Sequence, residues 1–182
     1  MRKKRCVIAI GHRRKSPGAL NVMTGLSEFI FNETLAHDIK QKCTDVEIII
    51  LYRHTYRKLP ADINAKEPDF IISLHCNAFN TEASGSEVLY YHNSQKGKHH
   101  AEILQHHIVM ALGLKDRGIK AKHVEDRGGY LLKETDATCN IVEPFFIDND
   151  DDLRRAIDNK QGLVDAYVNA ISIIANLHPT EY

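Results

Sequence analysis

The sequence has no tryptophan and no excess of either charge, its 24 Lys plus Arg being matched by 24 Asp plus Glu. A balanced chain has no global field to draw it onto nucleic acid or an anionic membrane, so neither partner is expected. Long hydrophobic runs are also missing. The most basic stretch, Arg2 to Arg5, precedes only the short apolar run Cys6–Ile10, whereas a secretory core needs roughly 7–15 apolar residues and a membrane span about 20. No signal peptide and no membrane insertion are expected, and the chain is expected to be cytoplasmic when made. Cysteine is scarce. Cys6, Cys43, Cys76 and Cys139 form no Cys-x-x-Cys pair, which argues against a zinc knuckle or a small disulfide framework and leaves reduced, buried thiols.

What remains is an ordinary balance of 43% hydrophobic and 26% charged residues over 182 positions, enough for a core between a sheet and helices in one domain spanning 1–182. Apolar runs at Arg5–Ile10, Val46–Leu51 and Asp69–His75 read as buried strands, and Gly85–Tyr91 alternates as a strand does. Shorter strands are expected at 118–124, 130–133 and 139–142. Ser27 is a plausible N-cap for a helix to about Lys42. A second helix, Gln95–Leu112, places Ala101, Leu104, Ile108, Ala111 and Leu112 on one face, and acid-capped helical segments follow from Asp150 to Leu177. Alternating strands and helices predict an α/β fold, with a single mostly parallel or mixed twisted sheet flanked by helices on both faces.

Three of the most apolar strands end in a residue capable of chemistry: His12 after Cys6–Ile10, His75 after Phe70–Leu74, and Glu143 after Ile141-Val142. In open α/β sheets ligands sit beyond the carboxyl ends of the strands, where parallel neighbours would bring these side chains together. Glu28 joins them from the start of the first helix, above the apolar-facing stripe Asn32, Leu35, Ala36 and Ile39. A carboxylate on a buried stripe needs a partner. Two imidazoles and one carboxylate make the His₂Glu set of catalytic zinc sites, with a fourth position open. Taken singly, each of these His or Glu residues is ordinary, a hydrogen-bonded histidine or a first-turn carboxylate; together at one sheet end they point to a metal centre.

Other features read as structural. His99, Glu102 and His106 share a helix face opposite Leu104 and Ile108 and are expected to face solvent. Cys76, next to His75, should point to the opposite side of its strand. Asp148–Asp152 resembles a calcium loop but lacks the required Gly and distal Glu, so helix capping is expected.

The residues in order carry a resemblance. Gly11-His12 with Ser16-Pro17-Gly18-Ala19, Glu28-x-x-x-Asn32-x-x-x-Ala36, Ser73-Leu74-His75-Cys76-Asn77-Ala78, Gly85-Ser86-Glu87-Val88, Asp116-Arg117-Gly118 and Ile141-Val142-Glu143-Pro144-Phe145-Phe146-x-Asp148-Asn149 resemble zinc-dependent N-acetylmuramoyl-L-alanine amidases of the type-3 family, above all phage endolysin catalytic domains. The resemblance implies His12, Glu28 and His75 as ligands of one Zn²⁺ and Glu143 as catalytic acid/base. It implies peptidoglycan as substrate, cut between N-acetylmuramic acid and L-alanine, and a phage or prophage endolysin. Asn77 and Glu87 are candidate substrate-binding residues. A monomer without an appended wall-binding domain is expected. The loop after His12 departs from the family pattern, reading Arg13-Arg14-Lys15-Ser16-Pro17-Gly18 where Gly-Gly-x-Asp-Pro-Gly is usual. The connection from Tyr52 to Lys66 looks short, implying a trimmed substrate groove. Two other readings stay open: a zinc peptidase or amidohydrolase cutting a different amide, and a catalytically inactive wall-binding module.

Overall fold

The apolar runs form one six-stranded sheet in the computed structural model, which describes residues 2–178. In chain order the strands are β1 (Arg5–Ile10), β2 (Glu47–Tyr52), β3 (Phe70–Leu74), β4 (Ser86–Tyr91), β5 (Asp116–Lys122) and β6 (Thr138–Glu143). Their order across the sheet is β2-β1-β3-β6-β4-β5. The first four in that order are parallel, whereas β4 pairs antiparallel with β6 and parallel with β5, making the sheet mixed.

β1, β3 and β6 lie inside the sheet and are covered on both faces, which is why they read as apolar runs instead of alternating ones, interrupted by the buried Ser73 in β3 and Asn140 in β6. Parity assigns their side chains. Cys6, Ile8 and Ile10 enter the larger core, beneath α1 (Glu28–Lys42), α3 (Gln95–Leu112), α5 (Asp150–Asp158) and α6 (Lys160–Asn176). Val7 and Ala9 point the other way, into a smaller core with Ile63 of α2 (Leu59–Asn64) and Leu131 and Leu132 of α4 (Gly129–Glu134). The thick layer therefore lies on one face and a thin layer of two short helices on the other.

α1 starts where expected. Ser27 caps it by accepting from the Ile30 amide, and the stripe Asn32, Leu35, Ala36 and Ile39 is buried. α3 runs over the expected residues and stops at Gly113, whose φ of 61° ends the helix in the left-handed conformation.

One expectation needs correction. Residues 130–133 are helical, not a strand. Leu131 and Leu132 are adjacent and both buried, which a strand with one covered face cannot arrange, and the segment was too short for its period to be read. The connection from Tyr52 to Lys66 contains α2, which packs against α4. The expected C-terminal helical segments are two helices that meet at Asn159.

Candidate metal centre and catalytic pocket

The ladder continues past the strand ends and carries the candidate residues side by side. The Gly11 amide donates to Leu74 O at 2.8 Å, and the His75 amide donates to Val142 O at 3.0 Å. His12, His75 and Glu143 therefore stand at one sheet edge, on three adjacent parallel strands. His12 has a φ of 64°, a left-handed conformation that is uncommon for a non-glycine residue and concentrates at functional sites.

Glu28 reaches them from the first turn of α1. It is 2% exposed, and each carboxylate oxygen is held twice. Oε1 accepts from the Cys76 amide at 3.0 Å and lies 2.9 Å from His75 Nδ1. Oε2 accepts from the Ala19 amide at 3.2 Å and lies 3.1 Å from His12 Nε2. Burial alone would raise its pKa; the two imidazoles outweigh it and hold Glu28 well below the usual carboxylate range.

The three residues fit a metal. One ligand atom from each lies within 4.8 Å of the others. His12 Nε2 is buried, and its approach to Glu28 lacks hydrogen-bond alignment, so a ring nitrogen aimed into the cluster has no hydrogen-bond partner. A buried polar atom without a partner is costly. Two neutral imidazoles and an ionised carboxylate, with the carboxylate oriented by backbone amides, are the donor set and supporting shell of a His₂Glu zinc site.

Glu143 lines the adjoining cavity of about 490 Å³ with His12, His75, Arg53, Tyr56 and Tyr130. Its pKa is pushed up to about 7 by burial and then by the neighbouring Glu87 carboxylate, with Glu28 adding to the rise and Arg127 opposing it. A partly buried carboxyl group poised near neutrality can both take and give a proton.

Asn77 and Glu87 meet each other: Asn77 Nδ2 donates to Glu87 Oε1 at 2.9 Å. Arg117 Nε donates to Glu87 Oε2 at 2.8 Å, while its guanidinium lies 4.9 Å above the Phe146 ring. Glu87 is opposite Glu143 in the antiparallel register. Both residues thus sit in a polar chain behind Glu143.

The remaining features fall where the sequence placed them. Cys76 is buried with Sγ toward Asn32, and burial raises its thiol pKa well above the usual value. His106 and Glu102 are exposed, whereas His99 is half-buried. In the acidic segment, Asn149 caps α5, the Asp148 carboxylate accepts from the Phe79 and Thr81 amides, and Asp152 accepts from Ser84, Gly85 and Phe146.

Sequence reasoning missed the glycine requirement at the centre. Gly18 has a φ of 82°, and a Cβ there would collide with Glu28 Oε2 and come within 2.7 Å of the His12 ring. A Cβ on Gly11 would come within 2.6 Å of both Leu74 O and the His75 ring. Both glycines lay inside quoted motifs, but only the close approaches explain them. Arg53, Tyr56 and Tyr130 had no local signal.

Known proteins share this fold. The N-acetylmuramoyl-L-alanine amidase family matches residues 6–172. An uncharacterized cell wall amidase of Bacillus anthracis is 33% identical over 89 residues, which span 44% of this chain and only 16% of that protein. Among solved structures, an N-acetylmuramoyl-L-alanine amidase from Clostridium difficile 630 superposes with a TM-score of 0.84 at 19% identity, covering 93% of this chain and 95% of that one. The catalytic domain of CwlV, an amidase of the same name from Bacillus (Paenibacillus) polymyxa var. colistinus, gives 0.83 at 18% identity, covering 96% and 99%. The catalytic domain of CD27L, an endolysin targeting Clostridia difficile, gives 0.79 at 24% identity, covering 92% and 96%. At these identities the structures establish a common fold, and the family match over nearly the whole sequence establishes the rest: the chain belongs to the N-acetylmuramoyl-L-alanine amidase family.

Proposed function

We propose that this chain is a zinc-dependent peptidoglycan hydrolase, cutting the amide between the lactyl group of N-acetylmuramic acid and L-alanine. The observation that carries the reading is the convergence of His12, Glu28 and His75 within 4.8 Å beside a pocket that holds Glu143. His12 Nε2, His75 Nδ1 and a Glu28 oxygen would hold the ion. When bound, zinc supplies Lewis acidity, which makes water a usable nucleophile near neutral pH and polarises the amide carbonyl.

The chain's own residues do the rest. Glu143 takes a proton from the attacking water and delivers it to the L-alanine nitrogen, since an amide anion is too poor a leaving group to depart unprotonated. Glu87, held by Arg117 and Asn77, lies beside Glu143 and raises its proton affinity, which favours retention of the proton until nitrogen needs it. Backbone amides of Ala19 and Cys76 fix the Glu28 carboxylate.

An endolysin role is supported by likeness to the CD27L catalytic domain. It would show as lysis of intact Gram-positive cells by purified protein added from outside.

The reaction itself is tested by mass spectrometry of peptidoglycan digested with and without a chelator. Stem peptides with a free L-alanine amine, absent when chelator is present, are expected. New reducing sugar ends or cuts within the peptide would assign a different hydrolase.

A further inference from the structure

Arg53, at the end of β2, is half-buried in the wall of the catalytic pocket. Its guanidinium carbon lies 5.8 Å from the centre of the Tyr56 ring, and Tyr56 in turn packs on Tyr130 with ring centres 5.7 Å apart. Among the described residues, no carboxylate or carbonyl lies within hydrogen-bonding distance of the guanidinium. Burial, and then the like charge of Arg13, disfavour its protonated form, against weaker help from Tyr56 and Glu28. The pocket's other arginine, Arg127, acts on Glu143. Asp126 accepts from the His123 amide at 2.7 Å, and Glu125 is exposed. Arg53 is thus a cation preorganised on an aromatic platform, with all five of its donors unspent.

Substrate chemistry says which anion it meets. In a muramoyl peptide the N-acetylated sugars are neutral, and the lactyl carboxyl is consumed in the amide to be cut. The fixed negative charge nearest the bond is therefore on the peptide side, as carboxylates beyond L-alanine. We propose that Arg53, stacked on Tyr56, is a carboxylate-binding subsite that seats the stem peptide in this pocket and so sets the direction in which the substrate crosses Glu143. The proposal deepens the amidase reading and rests on it. A planar fork suits a carboxylate, and lysine would not replace it fully.

The test reads binding, not turnover. The zinc-loaded protein is titrated with L-alanyl-D-glutamate and with its diamide, which share the free amine and differ in the carboxylates, and amide chemical shifts are followed. The dipeptide should bind at least about tenfold more tightly, the discrimination a charged hydrogen bond supports. R53Q should abolish the difference and R53K restore part of it, with zinc content and melting temperature unchanged in both. Equal binding of the two ligands by the parent protein overturns the proposal, as does discrimination that survives intact in R53Q. Displacement of the dipeptide by glycerol 3-phosphate at lower concentration would assign the subsite to a phosphate-bearing wall polymer and overturn the peptide assignment. Failure of the amidase reading would appear elsewhere, as the absence of free L-alanine amines in digested wall.

Discussion

Glu143 stands opposite Glu87 in the antiparallel register of β6 and β4, so two carboxyl groups share one face at the edge of the candidate metal centre. Arg117 and Asn77 donate to the two oxygens of Glu87 and hold the carboxylate in place. Burial and then the Glu87 carboxylate push the Glu143 pKa up to about 7, so near neutral pH Glu143 is populated both with and without its proton.

The first prediction concerns that pairing. As a base Glu143 works ionised, so activity should rise with pH through its pKa. Glu87→Gln removes the neighbouring charge and should move the acidic limb of the kcat/KM profile down by roughly 0.5–1 pH unit. An acidic limb that does not move would show that Glu87 leaves Glu143 unaffected.

Glu143→Gln should keep zinc and fold while turnover falls roughly 10²–10⁴-fold, as for loss of a general acid–base group. The metal-free protein offers a second reading. Glu143's folded pKa lies above its ordinary value of 4.5, so its contribution to stability is fully present below about 4.5 and is lost as pH rises through about 7. The Gln variant escapes that loss. It should melt higher than the parent at about pH 8 and no higher at about pH 4.5. Loss of zinc from this variant would make Glu143 a ligand instead.

Replacing His12, Glu28 or His75 with Ala should each abolish tight zinc binding, measured as metal per chain after dialysis. Glu28→Ala should also destabilise the metal-free protein, by about 1–3 kcal/mol, because the part-buried Ala19 amide and the buried Cys76 amide lose their acceptor. Full zinc in two of the three variants would remove the centre from this position.

Gly18→Ala changes no ligand, yet its methyl group must enter the space of Glu28 Oε2 and the His12 ring at a φ of 82°. We expect a cost of roughly 1–3 kcal/mol in stability and a loss of roughly 10–100-fold in zinc affinity, the scale seen when groups that orient ligands are disturbed. Competition with a chromophoric chelator measures the affinity, and an unchanged value would show that the loop yields without cost.

Much of the site was legible because parallel strands buried on both faces leave a strong trace. Apolar runs located β1 and β3, Ile141-Val142 located β6, and the polar residue ending each one marked the sheet's carboxyl edge. The buried stripe below Glu28 aimed its carboxylate at that edge for the same reason, since helical spacing fixes which side chains share a face. What local pattern could not determine was anything set by distant partners. Leu131 and Leu132 are helical because they cover β6 beside α2, and a run that short has no period of its own. Glu87 faces Glu143 only because β4 turns antiparallel beside β6, a pairing between residues 56 positions apart in sequence. Arg53 and Gly18 acquire their significance from what lies next to them, an aromatic wall and a carboxylate. The sequence by itself determined the candidate residues and the sheet edge that presents them; the tertiary structure decided which neighbours tune them, because those contacts close long loops and leave no local signature.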